Sequence, residues 1–325
     1  MNQQLKGILN NPFDISFIYF PMWFPIAYIF LVGNVPSAAS IFFIFSLFLF
    51  AETHFASTWL FFFDNENKEW IKKNSYVLIV LPIYILSAVV GIWFFNPDLI
   101  ILLHYLASGF HVTRQSIGIS KLSIKSEYNF HLLIYLFSFG FLGTGLLKPG
   151  ILNNFISQKS SLNIILIIFA LTYSTLIYFS SKGYINNISK YIFSILTGIM
   201  IYLPILFFKE LSTATAIGVG MHWIQYIALF GIIYFRKTNI KYKTIKLFIN
   251  STEFKSKISF IFLYALIMTS CAYVGVTQAS NGKAYNYLYL IPIIFQLYHF
   301  YIDGFIWRFS DKHLRKSMAY FLKAS

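Results

Sequence analysis

Five of the chain's seven histidines, His54, His104, His111, His222 and His299, lie in stretches almost free of charge. Polar companions stand beside them at helical spacing. Arg114 and Gln115 follow His111 by three and four residues, and Gln225 follows His222 by three. Gln296 precedes His299 by three, and Asp303 follows it by four. On a helix these intervals put each companion on its histidine's face. Glu52, two residues before His54, points elsewhere on that helix and is expected to serve another contact. Imidazole is the commonest side-chain metal ligand and suits iron, copper and zinc. Asp303 would complete a ligand set or orient a ligating ring. Gln115, Gln225 and Arg114 would orient rings or stabilise an anionic oxygen species. A lone histidine in such a stretch more often bonds a neighbouring helix. Five of them in four stretches point to a metal site.

The elements that must carry these residues are membrane-spanning helices. Of 325 residues 58% are hydrophobic and only 11% charged, against roughly 25% charged in an ordinary soluble domain. Apolar runs of about 18 residues or more, each long enough to cross a bilayer core, recur along the chain. We read ten spans: 14–33, 36–63, 75–96, 98–120, 129–147, 163–180, 190–208, 213–235, 258–277 and 286–307. The breaks carry turn and charge signals such as Gly33-Asn34, Asn96-Pro97-Asp98 and Lys148-Pro149-Gly150. The longest, Arg236 to Lys257, is strongly basic. The apolar runs reach residue 307, which excludes a secretory signal followed by a soluble domain. The expected fold is an all-α polytopic bundle, with residues 1–325 forming one integral membrane domain. One cysteine, Cys271, rules out a disulfide framework or a cysteine-based metal site within the chain.

Charge orients the bundle. With ten crossings, twenty Lys and Arg fall on the side of both termini. The other side holds four: Lys148, Lys159, Lys209 and Lys283. This bias places both termini in the cytoplasm. It also accounts for the net charge of +14 as topology determinants and contacts with anionic headgroups, not as a nucleic-acid surface. The histidine-bearing spans, two, four, eight and ten, then all run from outside to inside. His54, His111 and His299 lie about 12–14 Å from the cytoplasmic edge, and His222 lies deeper, at about 20 Å. His104 stands two turns before His111 on nearly the same face.

Four motifs recur to these positions: Glu-Thr-His-Phe-Ala-Ser-Thr-Trp (52–59), His-Val-Thr-Arg-Gln-Ser-Ile-Gly (111–118), His-Trp-Ile-Gln-Tyr (222–226) and His-Phe-Tyr-Ile-Asp-Gly-Phe-Ile-Trp-Arg (299–308). Together they resemble bacterial polytopic membrane proteins with His-x-x-Arg-Gln and His-x-x-x-Asp signatures. More distantly they resemble the bacterial membrane β-carotene dioxygenases, the bacteriorhodopsin-related-protein family. Gln115 stands where that family has a second histidine, and the family's early His-Gly-x-x-Asp motif is absent. The resemblance implies iron held by His54, His111 and His299.

The expected function is a non-haem iron oxygenase, with copper or zinc as alternative metals. His54, His104, His111, His222 and His299 are its candidate ligands, and Asp303, Arg114, Gln115 and Gln225 their catalytic companions. The substrate would be lipophilic (carotenoid-, terpenoid- or fatty-acyl-like) and would enter from the bilayer of a bacterial inner membrane. An electron donor, where one is required, would dock on the basic cytoplasmic face. The His-x-x-x-His and His-x-x-His-His patterns of desaturases and alkane hydroxylases are absent. Two rivals remain: a transporter or channel with a His/Asp303/Arg114 relay, and a structural protein whose polar residues only join helices.

Overall fold

The computed structural model describes residues 10–124, 130–156, 159–242, 251–280 and 287–322. Every regular element among them is helical. In an apolar medium a helix satisfies its backbone groups within its own segment, and apolar runs separated by turn residues fold accordingly. The main helices are α1 (Asn11–Tyr19), α2 (Trp23–Asn34), α3 (Pro36–Phe63), α4 (Lys68–Lys73), α5 (Tyr76–Phe95), α6 (Pro97–Ser123) and α7 (His131–Leu147). There follow α8 (Lys159–Ser181), α9 (Asn187–Met200), α10 (Leu211–Tyr242), α11 (Thr252–Ser280) and α12 (Tyr287–Ile306). A final helical turn sequence, α13, covers 312–322.

Seven of these helices are long and apolar enough to cross a membrane, or eight if the bent pair α1–α2 is one span. The chain therefore reads as an integral membrane protein. Among the described residues helix covers most of each expected segment, with the first broken at Phe20–Pro21 and the seventh at Ile201–Tyr202. Two expected spans fall outside these eight: α6 is diluted by His104, His111, Arg114 and Lys121, and α7 has only 17 residues. Large apolar side chains of α8, among them Ile164, Ile168 and Leu171, are exposed, as on a lipid-facing helix. One expectation needs correction. The basic stretch 236–257 is not a break throughout: α10 continues to Tyr242 and α11 begins at Thr252. Lys and Arg are good helix formers, and here their heads have partners. Lys237 reaches Asp64 and Glu66, and Lys257 reaches Glu253 one turn away. Lys6, Lys125, Lys243, Lys246, Lys283 and Lys323, which enter the charge count, lie outside the described residues.

The helices group into two compact units. The first draws on Met1–Ser46 and Val112–Leu229, the second on Leu47–His111 and Phe230–Leu322. In the first, α1 and α2 meet at 62°. Pro21 has no N–H to continue the ladder and disfavours helical geometry at Phe20. Side chains replace the lost bonds: Gln225 Nε2 donates to Ile18 O (2.6 Å), Thr197 Oγ1 to Tyr19 O (2.7 Å) and Trp23 Nε1 to Ser16 O (2.9 Å). Asp14 and Lys190 form a fully buried ion pair at 2.8 Å.

The second unit holds α5, α6 and α12 against one another through Trp93, Ile100, Leu290 and Ile293. The first turns of α5, Tyr76–Val80, are π-helical, a form whose carbonyls are poorly used by the ladder. Two tyrosines of α12 exploit them: Tyr301 Oη donates to Val77 O (3.0 Å) and Tyr298 Oη to Leu78 O (2.9 Å). These bonds fix the rotation of α12, the helix that carries His299 and Asp303. Trp59 stacks on Tyr298 at 5.1 Å and ties α3 to the same helix. Below them, the Trp70 indole donates to Asp311 and stacks on His313, whose Nε2 lies 2.9 Å from Asn67 Oδ1.

Candidate metal centre

Within the second unit, the 47–63 part of α3, the 97–111 part of α6 and α12 each supply one buried imidazole. The ligand atoms of His54, His111 and His299 all lie within 4.8 Å of one another. His111 Nε2 and His299 Nε2 are 3.3 Å apart. Two ring nitrogens that face each other at this distance hold either a proton or a shared cation between them. Asp303, one turn after His299 on α12, brings Oδ2 to 3.6 Å from His299 Nε2 and 3.9 Å from His111 Nε2. All four side chains are buried, at most 6% exposed.

The local sequence explains why these groups converge. His54 is the second residue of the regular helical stretch that follows a π-helical segment, Leu47–Glu52. Insertions of this kind rotate the following residues relative to the preceding ones and are frequent at functional sites. Phe300 stacks on His111 (4.8 Å) and Phe55 meets His299 edge-on (4.9 Å). These aromatic walls exclude water and strengthen electrostatic interactions inside.

Thr58, which the spacing of histidines and their companions did not single out, belongs to the site. Its hydroxyl lies 2.7 Å from His299 Nδ1 and 3.5 Å from Asp303 Oδ1. The one available signal was position, since Thr58 follows His54 by four residues and so shares its face.

The other expected residues are placed differently. His104 stands outside the three-histidine group, with its Nε2 2.7 Å from Gln296 Oε1. Gln296 Nε2 in turn donates to Glu52 Oε1 at 3.1 Å. Glu52 thus makes a contact apart from His54, as its spacing implies. His222 and Gln225 are buried in the first unit, where Gln225 caps the broken helix. Arg114 and Gln115 also belong to the first unit. Arg114 is exposed, and Gln115 makes no side-chain hydrogen bond among the described residues.

No protein-family model, curated protein or solved structure matches this chain.

The donor set fits a transition metal. Two ligands bound about 2.1 Å from one ion at 90–120° lie about 3.0–3.6 Å apart. The 3.3 Å between His111 and His299 and the 3.6 Å between His299 and Asp303 fall in that interval, whereas the 3.9 Å between His111 and Asp303 and the 4.8 Å outer limit of the three-histidine group lie beyond it, so a single ion would draw these side chains closer together. A dication would also be matched by the Asp303 carboxylate, whose burial without a cation is costly. Nitrogen and carboxylate oxygen without thiolate suit iron, zinc or copper.

Proposed function

We propose that this chain is a membrane-embedded oxygenase that holds a single non-haem iron through His54, His111 and His299. Asp303 is the fourth ligand or the carboxylate that orients them. The observation that carries this reading is the set of three buried imidazoles with their ligand atoms within 4.8 Å, joined by Asp303 Oδ2. Three histidines with one carboxylate, in a water-poor site, resemble the donor sets of non-haem iron centres. The motif likeness to the bacterial β-carotene dioxygenases points the same way. Copper or zinc would suit the same donors.

When bound, the iron would supply Lewis acidity and access to dioxygen chemistry. The chain's own residues do the rest. His54, His111 and His299 hold the metal in neutral form, Asp303 balances its charge, and Phe55 and Phe300 keep water out. A carotenoid-, terpenoid- or fatty-acyl-like substrate would reach such a site from the bilayer. A dioxygenase that places both oxygen atoms in its product needs no external electrons. A hydroxylation would draw two electrons from a donor docked on the basic cytoplasmic face. In this reading the chain makes ten crossings of a bacterial inner membrane, with both termini in the cytoplasm.

Metal analysis of the purified protein tests the proposal. One equivalent of transition metal is expected per chain, and its loss in a His111→Ala/His299→Ala double variant. A metal-free wild type, or unchanged retention by the double variant, would overturn it.

A further inference from the structure

A threonine hydroxyl has one proton to give and two lone pairs to receive with. Thr58 Oγ1 sits between two groups of the centre, 2.7 Å from His299 Nδ1 and 3.5 Å from Asp303 Oδ1. Thr58 and His299 are each 1% exposed and Asp303 4%, so water does not compete for these contacts. A carboxylate oxygen only accepts. With the hydroxyl proton directed to Asp303, the hydroxyl meets His299 as an acceptor, and Nδ1 must carry the ring's proton. The lone pair of His299 is then on Nε2, the atom that faces His111 Nε2 at 3.3 Å and Asp303 Oδ2 at 3.6 Å.

We propose that Thr58 is a positioning residue that sets the tautomer of His299 and the aim of Asp303. Through Nδ1–H···Oγ1 it turns the His299 lone pair inward. Through Oγ1–H···Oδ1 it ties one carboxylate oxygen and leaves the other pointing at both Nε2 atoms. His299 and Asp303 share α12, whereas Thr58 comes from α3, one turn below His54. One hydroxyl therefore clamps two donors of one helix to the helix that supplies the third. The metal itself is not touched by Thr58; ligating histidines that lose such a partner typically lose metal affinity about ten- to hundredfold.

This inference rests on the metal reading above, and the experiment separates the two. Full-length protein in detergent is titrated with Co2+ alone against a competing chelator, with the ligand-field bands recorded. T58V, which keeps the volume and removes the hydroxyl, is expected to bind Co2+ about ten- to hundredfold more weakly and to shift the bands. T58S, which keeps the hydroxyl, is expected to restore both. Wild-type affinity and spectrum in T58V, with binding abolished in H299A, would overturn the role of Thr58 and leave the metal reading intact. Equal losses in T58V and T58S would also overturn it, because packing would then be the cause. A wild type that binds no Co2+ would overturn both readings. Nitrogen-15 NMR of histidine-labelled, Zn2+-loaded wild type gives an answer without relying on a folded Thr58 variant. His299, assigned by its absence in H299A, should show a protonated Nδ1. A metal-bound Nδ1 would overturn the proposal.

Discussion

Gln296 lies three residues from His299, yet it serves a different histidine. Its amide oxygen faces His104 Nε2 and its amide nitrogen donates to Glu52, so His104 must be the donor in that contact. Spacing along one helix identifies which side chains share a face, but it does not say which neighbouring helix that face meets. The same limit hid Thr58, since threonines in apolar helices are common and most bond only their own backbone, as Thr144, Thr172 and Thr175 do here. Gln296→Leu is expected to orphan both Glu52 and His104 in a buried place. The cost is about 1–3 kcal/mol for each group left unsatisfied, read as a lower thermal midpoint in detergent. Metal content should stay at the wild-type value, since neither partner belongs to the three-histidine group. Loss of stoichiometric metal in this variant would show that His104 is a ligand after all.

At the scale of elements, the helix ends matter as much as the helices. Gln225, three residues after His222, donates through Nε2 to Ile18 O, because Pro21 breaks α1 from α2 and leaves carbonyls that buried side chains must satisfy. Gln225→Leu is therefore expected to lower the unfolding midpoint, by about 1–3 kcal/mol in stability, without altering Co2+ affinity. A change in metal affinity with an unaltered midpoint would contradict this structural role. Near the C-terminus, Asp311 caps α13 by accepting from the N–H groups of His313 and Leu314. Partial burial pushes its carboxyl up, but these backbone donors, the Trp70 indole and His313 outweigh it and hold the group below the ordinary carboxylate range. Its contribution is thus complete above pH about 4 and fades as the pH falls through the lowered value. The midpoint difference between wild type and Asp311→Asn should persist at pH about 5 and shrink as the pH falls below about 4. A difference that does not shrink below pH about 4 would refute the contribution of the Asp311 charge.

For the whole molecule, the charge asymmetry predicts its orientation. Reporter fusions at residue 325 and near Lys182 should report the cytoplasm, and one near Lys148 the opposite side. A reporter at Lys148 that stays in the cytoplasm would remove the common direction of the histidine-bearing helices. The amino-acid sequence alone determined an all-α chain of long apolar helices and the neighbourhood of every one of them. A run of apolar residues has only one way to satisfy its backbone in lipid, so length and composition suffice. It also marked His54, His111, His299 and Asp303 as site candidates, because ionisable groups in such runs are costly to keep. Only the tertiary structure decided that three of the five histidines form one group, that His104 joins Gln296 and Glu52, that Gln225 caps a broken helix, and that Thr58 joins the site. Those outcomes depend on helix rotation. The π-helical segments at 47–52 and 76–80 and the kink at Pro21 set that rotation through contacts between residues far apart in the chain, which no local periodicity records.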